Sequence, residues 1–308
     1  MIDMDTFLTT LYVMISDFCK SELEPETRPG PQASLSRDEV ITLAILGQWG
    51  HFESERGFYR YADRHLRAAF PTLPHRTQFN RLMRRHQEAI VAFGLHLVER
   101  LNARQCAYEV LDKSAVAVRS VKRAGSGWLA GQIDIGFSNR LGWFEGFALL
   151  IASTPSGVVT GFGFGPASTR DVTLAETFLA ARCQPQPRLT CVGPPALGPY
   201  VADKGFTSRR AQRRWQQLYR AQVISPPYAH SLNPWPQAVR TWFNSIRQIV
   251  ETVYDKLLNS FRLNRERPHD LSGFQARLAA KVALHNFCIW LNRSLGRPLL
   301  AFANLLAW

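Results

Sequence analysis

The chain has 308 residues, 46% of them hydrophobic, which is enough for about two ordinary domains and excludes wholesale disorder. Lys and Arg number 37 against 24 Asp and Glu, and the formal net charge of +13 points to a polyanionic partner, nucleic acid first. The five cysteines form no CxxC pair, no apolar run approaches the roughly 20 residues that span a bilayer, and there is no GxxxxGK[ST] loop. A disulfide scaffold, a membrane protein and a P-loop ATPase are thereby disfavoured. A cytoplasmic protein with reduced thiols is expected, with no secretory leader ahead of Asp3 and Asp5.

The first hundred residues read as helices. Phe7, Leu8, Leu11, Tyr12, Ile15, Phe18 and Cys19 recur at helical spacing, and a proline-rich break over 25–31 follows. Ser36-Arg37-Asp38-Glu39 has the pattern of a capping box ahead of Val40, Ile41, Leu43, Ala44 and Leu46. A third helix carries Phe58, Tyr59, Tyr61 and Leu66. A fourth, after Pro71 and Pro74, runs from Phe79 to Leu101 with a basic face of Arg76, Arg81, Arg84, Arg85 and His86. Helices joined by short turns, one of them studded with arginine, predict a helix-turn-helix-like DNA-binding domain over 1–104.

From residue 107 the period shortens to two: Tyr108, Val110, Asp112 and Ser114 alternate with Glu109, Leu111 and Lys113, as in a strand. A basic, glycine-punctuated loop holds Arg119, Lys122, Arg123, Gly125 and Gly127. Phe144 to Ala152 and Val158 to Phe164 bracket Thr154-Pro155-Ser156-Gly157 and predict a hairpin. After a short helix from Asp171 to Ala181 and a proline-rich loop, a brief apolar run ends at Asp203. Lys204, Gly205 and an Arg-rich helix (Arg209, Arg210, Arg213, Arg214) come next. A strand over 221–225, a connector with Tyr228 and Trp235, and two long apolar helices complete a mixed α/β body over 105–308. Trp235, between Pro234 and Pro236, is a candidate for stacking on an unpaired base, with packing on the fold as the equal alternative.

Three acids of that body are candidates for chemistry: Asp112 on the first strand, Asp203 at the end of a later one, and Glu251 on the long helix. Carboxylates are hard oxygen donors suited to Mg²⁺, and two such ions about 4 Å apart can activate and stabilise the oxygens of a phosphodiester. Arg247, one turn before Glu251, is placed to orient that carboxylate or to contact a phosphate. Each acid also has a plainer reading: Asp112 as a partner of Lys113 or Arg119, Asp203 as a turn acid, Glu251 as an ion-pair partner of Arg247. Glu109, Asp134, Glu145, Asp171 and Asp255 compete for the same role. The eight His and five Cys lack zinc-ligand spacing.

The segments VLDKSAVAV (110–118), PYVADKGF (199–206) and SIRQIVETVYDKL (245–257), with FNRLMRRH (79–86) in the helical front, resemble bacterial insertion-sequence transposases of the DDE type. Insertion-sequence family 982 is the nearest group. The resemblance covers most of the chain and implies a ribonuclease H-like mixed sheet with flanking helices behind an all-helical N-terminal domain. It implies that Asp112, Asp203 and Glu251 bind two Mg²⁺ or Mn²⁺ ions. It further implies cleavage of double-stranded DNA at terminal inverted repeats and transfer of the freed 3′-hydroxyl to target DNA. A homodimer in a nucleoid-associated synaptic complex is expected from that mechanism, since two ends must be held together. The DNA contacts expected are Arg76, Arg81, Arg84, Arg85, Arg119, Lys122, Arg123, Lys204, Arg209, Arg210, Arg213, Trp235 and Arg247. In the Tyr-x2-Arg-x3-Glu-x6-Lys signature of some relatives, Arg247 and Glu251 fit, whereas Asn244 and Leu258 stand where Tyr and Lys would be. The rival expectation is a DNA-binding repressor derived from such an enzyme.

Overall fold

The computed structural model describes residues 1–26, 33–123, 127–183, 193–195, 197–228 and 231–308. Gly125, Cys191 and most of the proline-rich loop before Asp203 lie outside them. The chain divides into two compact units. One comprises Met1–Leu97, Asn259–Leu263 and Asp270–Trp308; the other comprises Val98–Leu258 and Asn264–His269. Among the described residues no helix is long and apolar enough to cross a membrane.

In the first unit α1 (Met4–Glu22) starts on Asp3, whose carboxylate accepts from the Thr6 amide at 2.7 Å. The capping box expected from sequence forms at the head of α2 (Arg37–Leu46). The Ser36 amide donates to Glu39 at 2.7 Å, and the Glu39 amide donates to the Ser36 hydroxyl at 3.4 Å. From Val40 to Leu46 every residue of α2 is buried. A helix apolar on all sides belongs at the centre of a core. Helix α3 (Glu55–His65) and α4 (Arg76–Arg85) follow, and α5 (Gln87–Arg100) begins after His86. The single fourth helix expected over 79–101 is therefore two. The break carries no Gly or Pro; His86 is buried and leaves helical geometry there (φ −95°, ψ 17°).

The second unit is built on a six-stranded sheet. Its central strand β1 (Glu109–Arg119) runs antiparallel to the later β3 (Gly142–Ser153). Strand β2 (Asp134–Ser138) pairs with the first half of β3, and β4 (Val159–Pro166) with the second half, on the same edge. The β3–β4 hairpin turns through Thr154 to Val158, as the sequence predicted, with Gly157 at φ 83°. Helix α6 (Asp171–Cys183) leads back to β5 (Tyr200–Ala202), which lies parallel to β1. Beyond α7 (Arg209–Tyr219), β6 (Val223–Ile224) adds a further parallel strand. The order β2/β4–β3–β1–β5–β6, antiparallel on one side of β1 and parallel on the other, is the ribonuclease H-like mixed sheet the resemblance implied.

Alternation along β1 divides the unit into two layers. Leu111 packs with Ala148, Leu150, Ala152, Phe178, Tyr200, Phe206 and Trp215 in the core beneath α6 and α7. The even-numbered residues of β1 face the other way, toward α8 (Gln237–Asp255), whose buried residues are Phe243, Val250, Val253 and Tyr254. A π-helical turn over Lys256–Ser260 ends α8.

The last long helix, α9 (Leu271–Ser294), corrects the expected division of the chain. The sequence places it in the mixed α/β body over 105–308, but it packs against α2 and α4 in the first unit. The reason is its composition: from Phe274 to Asn292 almost every side chain is buried, including Lys281, which donates to Gln48 at 2.7 Å. Such a helix requires helices around it, and the N-terminal helices supply them.

Candidate active site

Two of the three candidate acids meet because of strand register. In the parallel pair β1–β5, Leu111 lies opposite Ala202. The next residue on each strand is an aspartate, so Asp112 and Asp203 stand side by side where β5 ends. Asp203 caps the short turn that follows: its carboxylate accepts from the Lys204 amide at 2.7 Å. The turn-acid role is thus real and coexists with the position at the strand end.

Arg247 reaches from α8 to both acids. Its Nη2 lies 3.4 Å from Asp112 Oδ1 and its Nη1 lies 3.3 Å from Asp203 Oδ1. Asp112 is half-buried, and burial is the main cause that pushes its carboxyl up to about 7. Arg247 draws it down, while the negative charges of Asp203 and Asp171 add to the rise. Below Arg247 on α8, the Tyr254 hydroxyl lies 2.8 Å from the Asp112 carbonyl and 2.9 Å from that of Leu149. This phenol fastens the helix to β1 and β3 at the level of the aspartate, and burial raises its pKa well above the usual range.

Glu251 is exposed, one turn beyond Arg247 on α8. It is not joined to the two aspartates: among the described residues no three His, Cys, Asp or Glu side chains are grouped as a metal site. The competing acids are engaged elsewhere. Glu109 pairs with Arg182, and Glu145 with Arg119. Asp134 accepts from the Ser168 amide at 2.8 Å, and Asp255 lies 3.8 Å from Lys256. Asp171 pairs with Lys113, so the cation next to Asp112 in sequence turns to the opposite face of the sheet. Asp171 also packs against Gly205, where an added Cβ would lie 1.9 Å from its Oδ2.

The donor set suits a hard divalent cation. Two carboxylates, one within β1 and one just past the end of β5, already converge on one positive group, and every donor is oxygen. Asp112 and Asp203 would hold such an ion.

The expected DNA contacts separate into exposed and engaged groups. Arg81 and Arg85 are exposed on α4, whereas Arg76 lies 3.6 Å from Glu55, and Arg84 lies 2.9 Å from Asp270, the cap of α9. Lys122 and Lys204 are exposed, as are Arg209, Arg210 and Arg213 on α7, whose buried residues are Ala211 and Trp215. Arg123 closes the short turn Val121–Arg123. Arg119 is a correction: it donates to buried Glu145 at 2.8 and 2.7 Å across the β1–β3 pair, a brace within the sheet. Trp235 is part-buried and lies edge-on to Phe243 on α8, ring centroids 5.0 Å apart. Trp242 is the exposed indole of this region. Tyr254 was not singled out from sequence, although its place seven residues after Arg247 on one helix stripe was a usable signal.

Residues 110–287 match the family described as transposase DDE domain. No curated protein matches the chain. Among solved structures, the Mos1 strand transfer complex is 15% identical, with 88% of this chain and 83% of that chain covered and a TM-score of 0.24. A pre-cleavage Mos1 transpososome is 12% identical, with 81% and 84% covered and a TM-score of 0.23.

Proposed function

The chain belongs to the DDE transposase family, and on that premise we propose that it cleaves double-stranded DNA at transposon ends and joins the freed 3′-hydroxyl to target DNA. Asp112, Asp203 and Glu251 are the proposed metal ligands, for two Mg²⁺ or Mn²⁺ ions. The observation that carries this reading is the Leu111–Ala202 register, which sets Asp112 within β1 beside Asp203 just past the end of the parallel strand β5. Within the family, insertion-sequence family 982 is the proposed subgroup. The partners are terminal inverted repeats and target DNA, with a homodimer holding two ends.

Divalent ions at this site would supply an activated attacking oxygen and charge neutralisation at the leaving oxygen. The chain's own contribution begins with position. Asp203 is fixed by its bond to the Lys204 amide, and Asp112 by the strand and by the Tyr254 anchor. The partial burial of Asp112 makes its carboxylate poorly solvated and hungry for a cation. Exposed Lys204, Arg209, Arg210 and Arg213 follow Asp203 directly and offer positive charge to a phosphate backbone. In the other unit, Arg81 and Arg85 on α4 are the proposed contacts to the transposon end.

The test is strand cleavage of an end-containing duplex by purified protein with Mg²⁺ or Mn²⁺. Asp203→Ala and Glu251→Gln are expected to bind the duplex and not cut it. Cleavage by pure Asp203→Ala, or by wild type in excess chelator, overturns the metal reading. Binding without cleavage by the wild type on a matched end, in either metal, marks a repressor instead.

A further inference from the structure

We infer that Arg247 occupies the place between the two proposed metal ligands: its guanidinium holds Asp112 and Asp203 together and must withdraw before a divalent ion can take both carboxylates. This rests on the reading of those aspartates as metal ligands.

Three observations carry it. First, the guanidinium uses separate nitrogens for the two acids, reaching Oδ1 of each, so one side chain spans the gap a shared ion would bridge. Second, its contacts are long. At 3.4 and 3.3 Å they compare poorly with the 2.8 and 2.7 Å of Arg119 on Glu145 in the same sheet. A planar fork matched to one carboxylate is stretched between two, and forms an optimal pair with neither. Third, Arg247 and Glu251 lie one turn apart on α8, so they share a flank of that helix. Withdrawal of the arginine therefore frees the two aspartates on the flank that carries the third proposed ligand. A freed guanidinium beside the site is also suited to a phosphate oxygen of the DNA.

The alternative is a permanent bridge, in which the arginine stays and the ion binds around it. The two differ in what removing the fork does to metal affinity. Binding of Mn²⁺ to the full-length protein without DNA, read from the electron paramagnetic resonance of free Mn²⁺, separates them. Arg247→Gln is expected to bind Mn²⁺ roughly tenfold more tightly than wild type. Arg247→Lys keeps the charge but reaches one acid at a time, and is expected to tighten binding as well. Thermal unfolding with and without Mn²⁺ gives the second readout: the ion should raise the midpoint more in both variants than in wild type.

Unchanged or weaker binding by Arg247→Gln, with wild-type binding present and abolished by Asp112→Asn, overturns the exchange and leaves the metal site standing. Tightening by Arg247→Gln but not by Arg247→Lys also overturns it, because relief of general charge repulsion then suffices. Absence of Mn²⁺ binding in wild type and both variants removes the metal reading and this inference with it.

Discussion

Strand β1 carries two acids three residues apart, and its alternation sends them to opposite faces of the sheet. On the α6 face, Glu109 is closed in: Arg182 and the Thr160 hydroxyl both bond it, and Arg182 also donates to Tyr200 at 2.8 Å. The guanidinium lies over the Phe178 ring at 4.9 Å, and both members of the pair are about 1% exposed. Burial works against the Arg182 charge, yet Glu109 more than offsets it and holds the group more firmly protonated than usual. On the α8 face, Asp112 shares one arginine with Asp203 at distances beyond a good charge-assisted bond. The first arrangement meets its carboxylate from within the protein and leaves only the Arg182 Nε without a hydrogen bond. The second holds surplus negative charge that one guanidinium meets incompletely, which is the condition of a site rather than of a brace.

The sharpest way to break that contrast is to open the closed face. Arg182→Met leaves the Glu109 carboxylate buried without its cation, which should cost about 3–5 kcal/mol in chemical denaturation. Glu109→Leu with Arg182→Met should recover most of it, since the desolvation burden leaves with both charges. If the single variant loses less than about 1 kcal/mol, the pair is not the closed structural unit described.

The open face should respond to pH instead. The folded carboxyl of Asp112 titrates at about 7, well above the roughly 3.9 of an unfolded aspartate. A group with a raised acid pKa favours the folded state while protonated, so its contribution is present below pH 4 and is lost as pH climbs to about 7. In chelator, the stability of wild type relative to Asp112→Asn should therefore fall by up to about 4 kcal/mol across that window and stay level above it. A difference that stays flat from pH 4 to 8, measured by urea denaturation, would mean that Arg247 and solvent satisfy the carboxylate after all.

Both faces were only partly legible in the sequence. Asp112 and Asp203 stood out because each ends or interrupts a short apolar strand, and the capping box and the β3–β4 hairpin follow from local chemistry alone. Register between β1 and β5 is non-local: it depends on a parallel pairing across some ninety residues, and the sequence pattern names the acids without showing that they meet. Strand β2 escaped notice because Ile135 and Phe137 are exposed, so its apolar positions do not mark a buried face. The arginines mislead for a related reason. Arg81 and Arg119 look alike as isolated cations, and only the cross-strand position of Glu145 shows that Arg119 is engaged. For α9, a helix apolar all round says that it is buried, but not in which unit.

The smallest expected effect probes what holds the open face in place. The Tyr254 hydroxyl has one hydrogen and two carbonyl acceptors, those of Asp112 on β1 and Leu149 on β3, so it fastens α8 to two adjoining strands. Tyr254→Phe keeps the ring and its packing and removes only that polar link. A buried hydrogen bond of this kind is worth about 1–1.5 kcal/mol. Stability should therefore fall by about that amount, far less than for Arg182→Met. The informative readout is hydrogen exchange. If Tyr254 anchors the helix at the aspartate, protection should drop along α8 around Arg247 and Glu251, while the amides of β5 and α6 keep theirs. Equal loss of protection across the whole sheet would show that the phenol supports the fold at large, and that the α8 face has no local freedom for an arginine to withdraw into.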